Sequence, residues 1–296
     1  MAILTLLLPD FSLIALGALL YRITGWGDDF WRGLEKLVYY LLFPALLFQS
    51  TAKLQLNLHS TGQLLAVGML ATVAGIMLTW LGKAFIHAPP MVYESGMQTA
   101  YRFNSYMALA LASRLGGSEG AGMMALLMGF GVPLCNMAAV HALAHRSGNL
   151  AKELSKNPLL IATAAGLSFS IAGLHLPEVV NAVLSRLGGA SLALGLLSVG
   201  TGLRLSSAGS NKLMSGYLIA IKLLAVPATA FLLGSWLGLG ELQLKIVVLF
   251  CALPTASSCY ILATRMGGNG PVTAMLISMG TLISALTLPF WLALVH

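Results

Sequence analysis

The chain has 296 residues, of which 58% are hydrophobic and 8% charged, and its mean hydropathy is +0.87. Soluble domains carry about 25% charged residues, so this composition excludes a soluble enzyme or binding module and makes the bilayer the solvent. The net charge of +7 comes from scattered Lys and Arg rather than one basic stripe, which argues against a nucleic-acid partner.

A membrane helix needs about 20 mostly apolar residues. Breaking the chain at charges and at Gly/Pro/Asn/Ser clusters predicts spans over 3–21, 34–52, 62–82, 95–115 and 121–143, then 157–174, 184–204, 213–236, 244–266 and 272–295. The first stretch, MAILTLLLPDFSLIALGALLYR, lacks the basic head of a signal peptide and is expected to remain as a membrane helix. The polar connection HRSGNLAKELSKNP, His145 to Pro158, falls at the midpoint. Residues 1–145 therefore form one five-span unit, 146–156 a linker, and 157–296 a second five-span unit.

The two units echo each other. LASRLGG at Leu111–Gly117 returns as LATRMGG at Leu262–Gly268, and Met124, Met128 and Gly129 return as Met275, Met279 and Gly280 at the same offset. Leu34, Leu37, Leu46, Leu47 and Thr51 recur more weakly as Leu184, Leu187, Leu196, Leu197 and Thr201. A unit with an odd number of spans ends on the opposite side from its start, so its copy must be inverted, a plan common among secondary transporters. The expected fold is an all-α integral membrane protein of ten transmembrane helices in two inverted five-helix repeats. Cations crowd the loops after odd-numbered spans, among them Arg22, Arg32, Lys83, Arg146, Lys152, Arg204 and Arg265. By the positive-inside bias the central loop faces the cytoplasm and both termini face out.

An Arg followed by two glycines marks a helix C-terminus, the cation answering the dipole and glycine supplying a left-handed cap. The repeated heptapeptides thus read as helix ends, and interest moves upstream. In FCALPTASSCYILATRMGG, Pro254 lies near mid-span and removes a backbone donor, with Thr255, Ser257 and Ser258 beside it. In TAYRFNSYMALALASRLGG, Asn104 and Ser105 compete with helical hydrogen bonding, two residues after Arg102. Interrupted helices at matching places of an inverted repeat point to a midplane site, and their half-helix N-termini favour an anion. Asn104 and Pro254 are the expected breaks of helices 4 and 9.

The opening LPDFSLIALGALLYRITGW with LEKLVYYLLFPALLF resembles the auxin efflux carrier family of membrane permeases. So do VPLCNMAAV, KNPLLIATAAGL, KLLAVP and ALPTASSCYILATRMGG. The resemblance covers essentially the whole chain and rests on the order of these motifs rather than on any one. It implies crossing broken helices in spans four and nine, and a scaffold of spans one, two, six and seven that pairs as a homodimer. It also implies a mobile unit of the other six spans moving elevator-fashion, and organic-anion substrates such as malate or malonate. The family's usual proline after the span-four Asn is absent, Ala110 and Leu111 standing there, so the resemblance leaves the first break's geometry open.

Substrate contact is expected from Asn104, Ser105, Arg102, Thr255, Ser257, Ser258 and Gln49, with Asn104 leading because its amide can donate to a carboxylate and cap a half-helix. Arg102 lies about 10 Å into its span and can bind a carboxylate or snorkel to the interface. Lys222, about 14 Å into span eight, reads as a structural or gating charge, pairing with carbonyls freed by Pro227 or by a broken helix. Cys135, Cys251 and Cys259 sit in apolar runs and read as buried hydrophobes, and no metal or cofactor is implied. Neither an HExxH motif nor paired intramembrane Asp residues suggest an enzyme. All nine acids fall at or near span ends, which counts against the alternative of a sodium or proton exchanger with the same ten-helix plan. A passive channel stays open at this point.

Overall fold

The structure, a computed structural model, describes residues 2–53, 58–143, 158–201, 211–256 and 258–295. The expected linker 146–156 and Ser257 lie outside them. Every regular element among the described residues is helical. Among the described residues five stretches are long and apolar enough to cross a membrane: Thr61–Gly82, Pro90–Leu143, Glu178–Thr201, Lys212–Trp236 and Gly270–Leu294. Phe11–Ile23 is a shorter apolar one.

Packing divides the chain into two compact units, the first made of 1–62, 106–129 and 149–201 and the second of 63–105, 130–148 and 202–296. In the first unit lie α1 (Ala2–Ile23), α2 (Gly27–Leu37), α3 (Phe43–Ala52), α7 (Pro158–Ile171) and α8 (Glu178–Thr201). Helices in lipid gain nothing from burying apolar surface against each other, so small residues that let backbones approach do the work. A Cβ on Gly17 of α1 would stand 2.0 Å from Leu197 O of α8, and one on Gly200 of α8 would stand 2.0 Å from Ile14 O of α1. These reciprocal glycines set the α1–α8 contact. Gly166 of α7 plays the same part against α3, where a Cβ would meet Thr51 Oγ1 at 2.1 Å.

The second unit holds α4 (Leu58–Gly82) from residue 63 onward, α5 (Pro90–Met97), α9 (Lys212–Ala220), α10 (Val226–Trp236), α11 (Glu241–Ala252), α12 (Ser258–Arg265) and α13 (Gly270–Leu294). The long α6 (Ser105–Leu143) runs through residues of both units. Two π-helical turns, Val38–Leu42 and Ile221–Ala225, each end two residues before a proline, Pro44 and Pro227. Proline offers no N–H and its ring crowds the carbonyl four residues back, and a wider turn relieves that crowding. The carbonyl stranded by Pro227, that of Leu223, accepts instead from Trp291 Nε1 at 2.8 Å.

Around the fourth span two boundaries differ from expectation, each for a local reason. Span four starts at Pro90 rather than 95, because proline suits the first helical position. Glu94 consequently lies inside the helix, 8% exposed, with Oε1 accepting from Lys83 Nζ at 3.0 Å. Spans four and five are joined without a loop. The chain instead kinks within α6 at Gly116 (φ −136°, ψ 18°) and Gly117 (φ 56°, ψ −139°), the latter a conformation that favours glycine. In the second copy of the heptapeptide the positive φ falls one place earlier, at Gly267 (75°), and Gly268 N–H closes α12 onto Ala263 O at 2.7 Å.

Candidate functional site

The second unit contains two interruptions, and they meet. After α5 a short 3₁₀ turn, Gln98–Ala100, leads into Tyr101–Asn104, which is not helical, before Ser105 opens α6. After α11 the chain leaves the helix at Leu253 (φ −57°, ψ 145°), the extended conformation that a following proline imposes. It resumes at Ser258, the first residue of α12. Asn104 N–H donates to Pro254 C=O at 2.8 Å, joining the interruptions main chain to main chain. A broken helix in a membrane leaves backbone groups that water cannot serve, and these two interruptions serve each other.

Side chains complete the junction. Gln98 is fully buried; its amide donates to Cys259 O at 3.1 Å and to Ser95 O at 3.2 Å, while its Oε1 accepts from Arg102 Nη1 at 3.0 Å. Arg102 Nη2 donates to Ser258 Oγ at 3.0 Å, which ties the guanidinium to both interruptions. Arg102 is half-buried and Ser258 exposed, so this edge of the junction is open. Thr255, buried, has Oγ1 at 3.4 Å from Cys259 Sγ. Cys135 Sγ donates to Tyr101 O at 3.4 Å. Lys222 is 4% exposed and its Nζ donates to Cys251 O at 3.0 Å. That carbonyl sits in the last turn of α11, where four acceptors lose their helical partners and a cation is favoured. Lys222 therefore closes the end of the first half of the broken helix.

The structure gathers Arg102, Asn104, Ser105, Pro254, Thr255 and Ser258 around one junction, with Lys222 bonded one turn away to Cys251. Asn104 is 2% exposed, and Ser105 is half-buried. Gln49 is not part of this group; in the first unit its Nε2 donates to Asn181 Oδ1 at 2.7 Å and Asn181 O at 3.0 Å. Two contributors escape sequence reasoning. Gln98 has partners as far as 161 residues away, and its only local sign is a carboxamide four residues before an arginine. Tyr101, 1% exposed, holds a hydroxyl with no partner among the described residues.

Chemically, the junction offers a guanidinium with two of its five donor hydrogens in use, hydroxyls at Thr255 and Ser258, and two helix starts, Ser105 and Ser258. Helix N-termini carry partial positive charge and unpaired N–H groups, and guanidinium matches a carboxylate's two oxygens. The arrangement suits a small anion. Among the described residues no cluster of His, Cys, Asp and Glu could hold a metal ion.

The sequence matches the family described as "Membrane transport protein" over residues 142–292, just over half of the chain. A Rhizobium meliloti (strain 1021) protein named "Putative malonate transporter" is 23% identical over 304 residues, covering 98% of this chain and 95% of that protein. A Methanothermobacter thermautotrophicus (strain Delta H) protein named "Uncharacterized transporter" is 24% identical over 305 residues, with the same coverage.

Proposed function

The chain belongs to the membrane transport protein family, the auxin efflux carriers, and on that premise we propose that it moves a small organic anion, a dicarboxylate of the malonate or malate kind, by alternating access. It is a multi-pass membrane transporter rather than an enzyme. The observation that carries the substrate class is the junction at Asn104 and Pro254, where Arg102 spans both interruptions and two half-helices begin. One carboxylate of the substrate meets the Arg102 guanidinium; the second meets the Ser258 hydroxyl and the N–H groups that open α12. The name of the Rhizobium relative agrees with a dicarboxylate.

The ten spans form two inverted repeats, and transport is elevator-like. Support comes from the packing division, which gathers the residues of spans one, two, six and seven in one unit and those of spans three, eight, nine and ten in the other. The stretch 106–129 counts with the first unit, a departure from a clean scaffold-and-carrier split. Homodimerisation through spans one, two, six and seven, external termini and a cytoplasmic 146–156 linker complete the reading. The cation-exchanger alternative needs a carboxylate at the junction. Glu94, one helical turn before Gln98, is already paired with Lys83.

Counterflow of labelled malonate in proteoliposomes tests the proposal. Saturable exchange is expected. Unsaturable flux would make the protein a channel, and flux of sodium or protons without any carboxylate would make it an exchanger.

A further inference from the structure

Away from the junction, the second unit has a groove of about 410 Å³ between α9 with its π turn and α13. Its walls are apolar at Leu223 and Ile283, but Lys212, Ser215 and Thr287 also line it, beside Gly216. Ser215 is 5% exposed, and the hydroxyls of Ser215 and Thr287 are buried with no hydrogen-bond partner among the described residues. Membrane-helix hydroxyls ordinarily bond a carbonyl one turn back, as Ser278 does to Ala274 O (2.9 Å) and Thr281 to Ile277 O (2.8 Å) on the same α13. The two groove hydroxyls break that habit, and the interior of a membrane has no water to offer them. Gly216 holds the space open, since a Cβ there would meet nothing within 4 Å. Lys212 is exposed and has no ion-pair partner among the described residues.

From Lys212 to Leu223 the helix rises about 17 Å. That is close to half the ~30 Å hydrocarbon thickness, the depth of a single leaflet. We propose that this groove is a binding site for an anionic phospholipid. Lys212 takes the phosphate, the Ser215 and Thr287 hydroxyls turn about their Cα–Cβ bonds into the groove to donate to the two ester carbonyls, and one acyl chain lies past Gly216 toward Leu223. A purely apolar occupant would leave the cation and both hydroxyls unanswered, and a zwitterionic lipid would leave the cation's charge uncompensated. None of these residues belongs to the Arg102–Ser258 junction, so substrate binding and lipid binding are separable readouts.

The test uses the full-length purified protein, stripped of lipid and then incubated with phosphatidylglycerol or phosphatidylcholine, with bound lipid counted by native mass spectrometry. Wild type is expected to retain one phosphatidylglycerol per chain and to bind it at least tenfold more tightly than phosphatidylcholine. Lys212→Gln should bring phosphatidylglycerol to the phosphatidylcholine level. Gly216→Leu should displace both lipids while malonate binding persists. Ser215→Ala combined with Thr287→Val, which keeps the packing, should lower retention of both at least threefold and stands in for Gly216→Leu if that variant misfolds. Equal retention of the two lipids by wild type, or unchanged retention in Lys212→Gln or the double variant, would overturn the site. So would equal thermal stabilisation by inorganic phosphate alone, which would mark a free-anion site. Loss of dimer in Gly216→Leu with no lipid bound to wild type would hand the groove to a second copy of the chain.

Discussion

Replacing Gln98 by leucine removes the side chain that ties the two interruptions together while nearly preserving its volume. Three bonds go: two neutral ones, to Cys259 O and Ser95 O, and one from the Arg102 guanidinium. Neutral hydrogen bonds contribute about 1 kcal/mol each and those to charged groups about 1.5–3 kcal/mol. Ser95 O keeps a second donor, Thr273 Oγ1 at 3.3 Å, and Cys259 O lies in a helical turn, so neither carbonyl is stranded. The three share one network and do not add fully, which sets the expected loss near ~3 kcal/mol in reversible detergent–denaturant unfolding. Arg102, released from Gln98, loses its fixed orientation, and malonate affinity should fall by tenfold or more, about 1.4 kcal/mol. Gln98→Glu bears harder on the anion. It keeps an acceptor for Arg102 but has no hydrogen to give Cys259 O and Ser95 O, so stability should fall as well, and it adds a negative charge beside the anion. At a separation of ~6 Å and an effective dielectric of ~20 that repulsion is about 3 kcal/mol. The corresponding affinity loss is on the order of a hundredfold. If Gln98→Leu unfolds within ~0.5 kcal/mol of wild type and binds malonate equally well, the junction is not held by this side chain and the reasoning fails.

Asn104→Ala should abolish malonate binding with the fold intact, because the bond to Pro254 uses the Asn104 main chain and survives; unchanged affinity in a thermal-shift titration would remove the side chain from the site. Pro254→Ala frees Leu253 to become helical, so α11 should extend across the gap and proteoliposome turnover should drop; wild-type turnover would show that the Asn104 bond alone maintains the break. Gly200→Ala drives a methyl into Ile14 O and should destabilise by about 2 kcal/mol or more, whereas Gly189→Ala on the same helix, where a Cβ meets nothing within 4 Å, should be near neutral. Equal unfolding midpoints for those two variants would refute the close α1–α8 contact.

Helical membrane character is legible from composition alone, since a chain with so few charges has no other solvent. The second interruption is written in the sequence by a proline flanked by small hydroxyl residues. The first is written more faintly, in Asn104 and Ser105, which compete with helical bonding; the partner that closes Tyr101–Asn104 onto the second interruption, Pro254 O, lies 150 residues away, and no local pattern encodes that. Gln98 is hidden for the same reason. Glu94 misleads in the opposite way. Judged by charge it belongs at a span end, yet Pro90 starts the helix earlier and Lys83 pairs with it inside. The π turns before Pro44 and Pro227 are also invisible to a 3.6-residue period, because widening a helix by one residue changes which groups bond without changing which residues are apolar. Gln49 shows the limit of polarity as a guide. A carboxamide within a span can serve a neighbouring helix, here Asn181, as readily as a solute.

Equilibrium binding of labelled malonate to purified wild type and to Arg102→Ala tests the central claim most directly, because among the described residues the guanidinium is the one cation bonded to both interruptions. The account predicts saturable binding at one site per chain in wild type, with affinity at least tenfold weaker in Arg102→Ala and an unchanged fold. Equal affinity in the two proteins would place the anion elsewhere and contradict it.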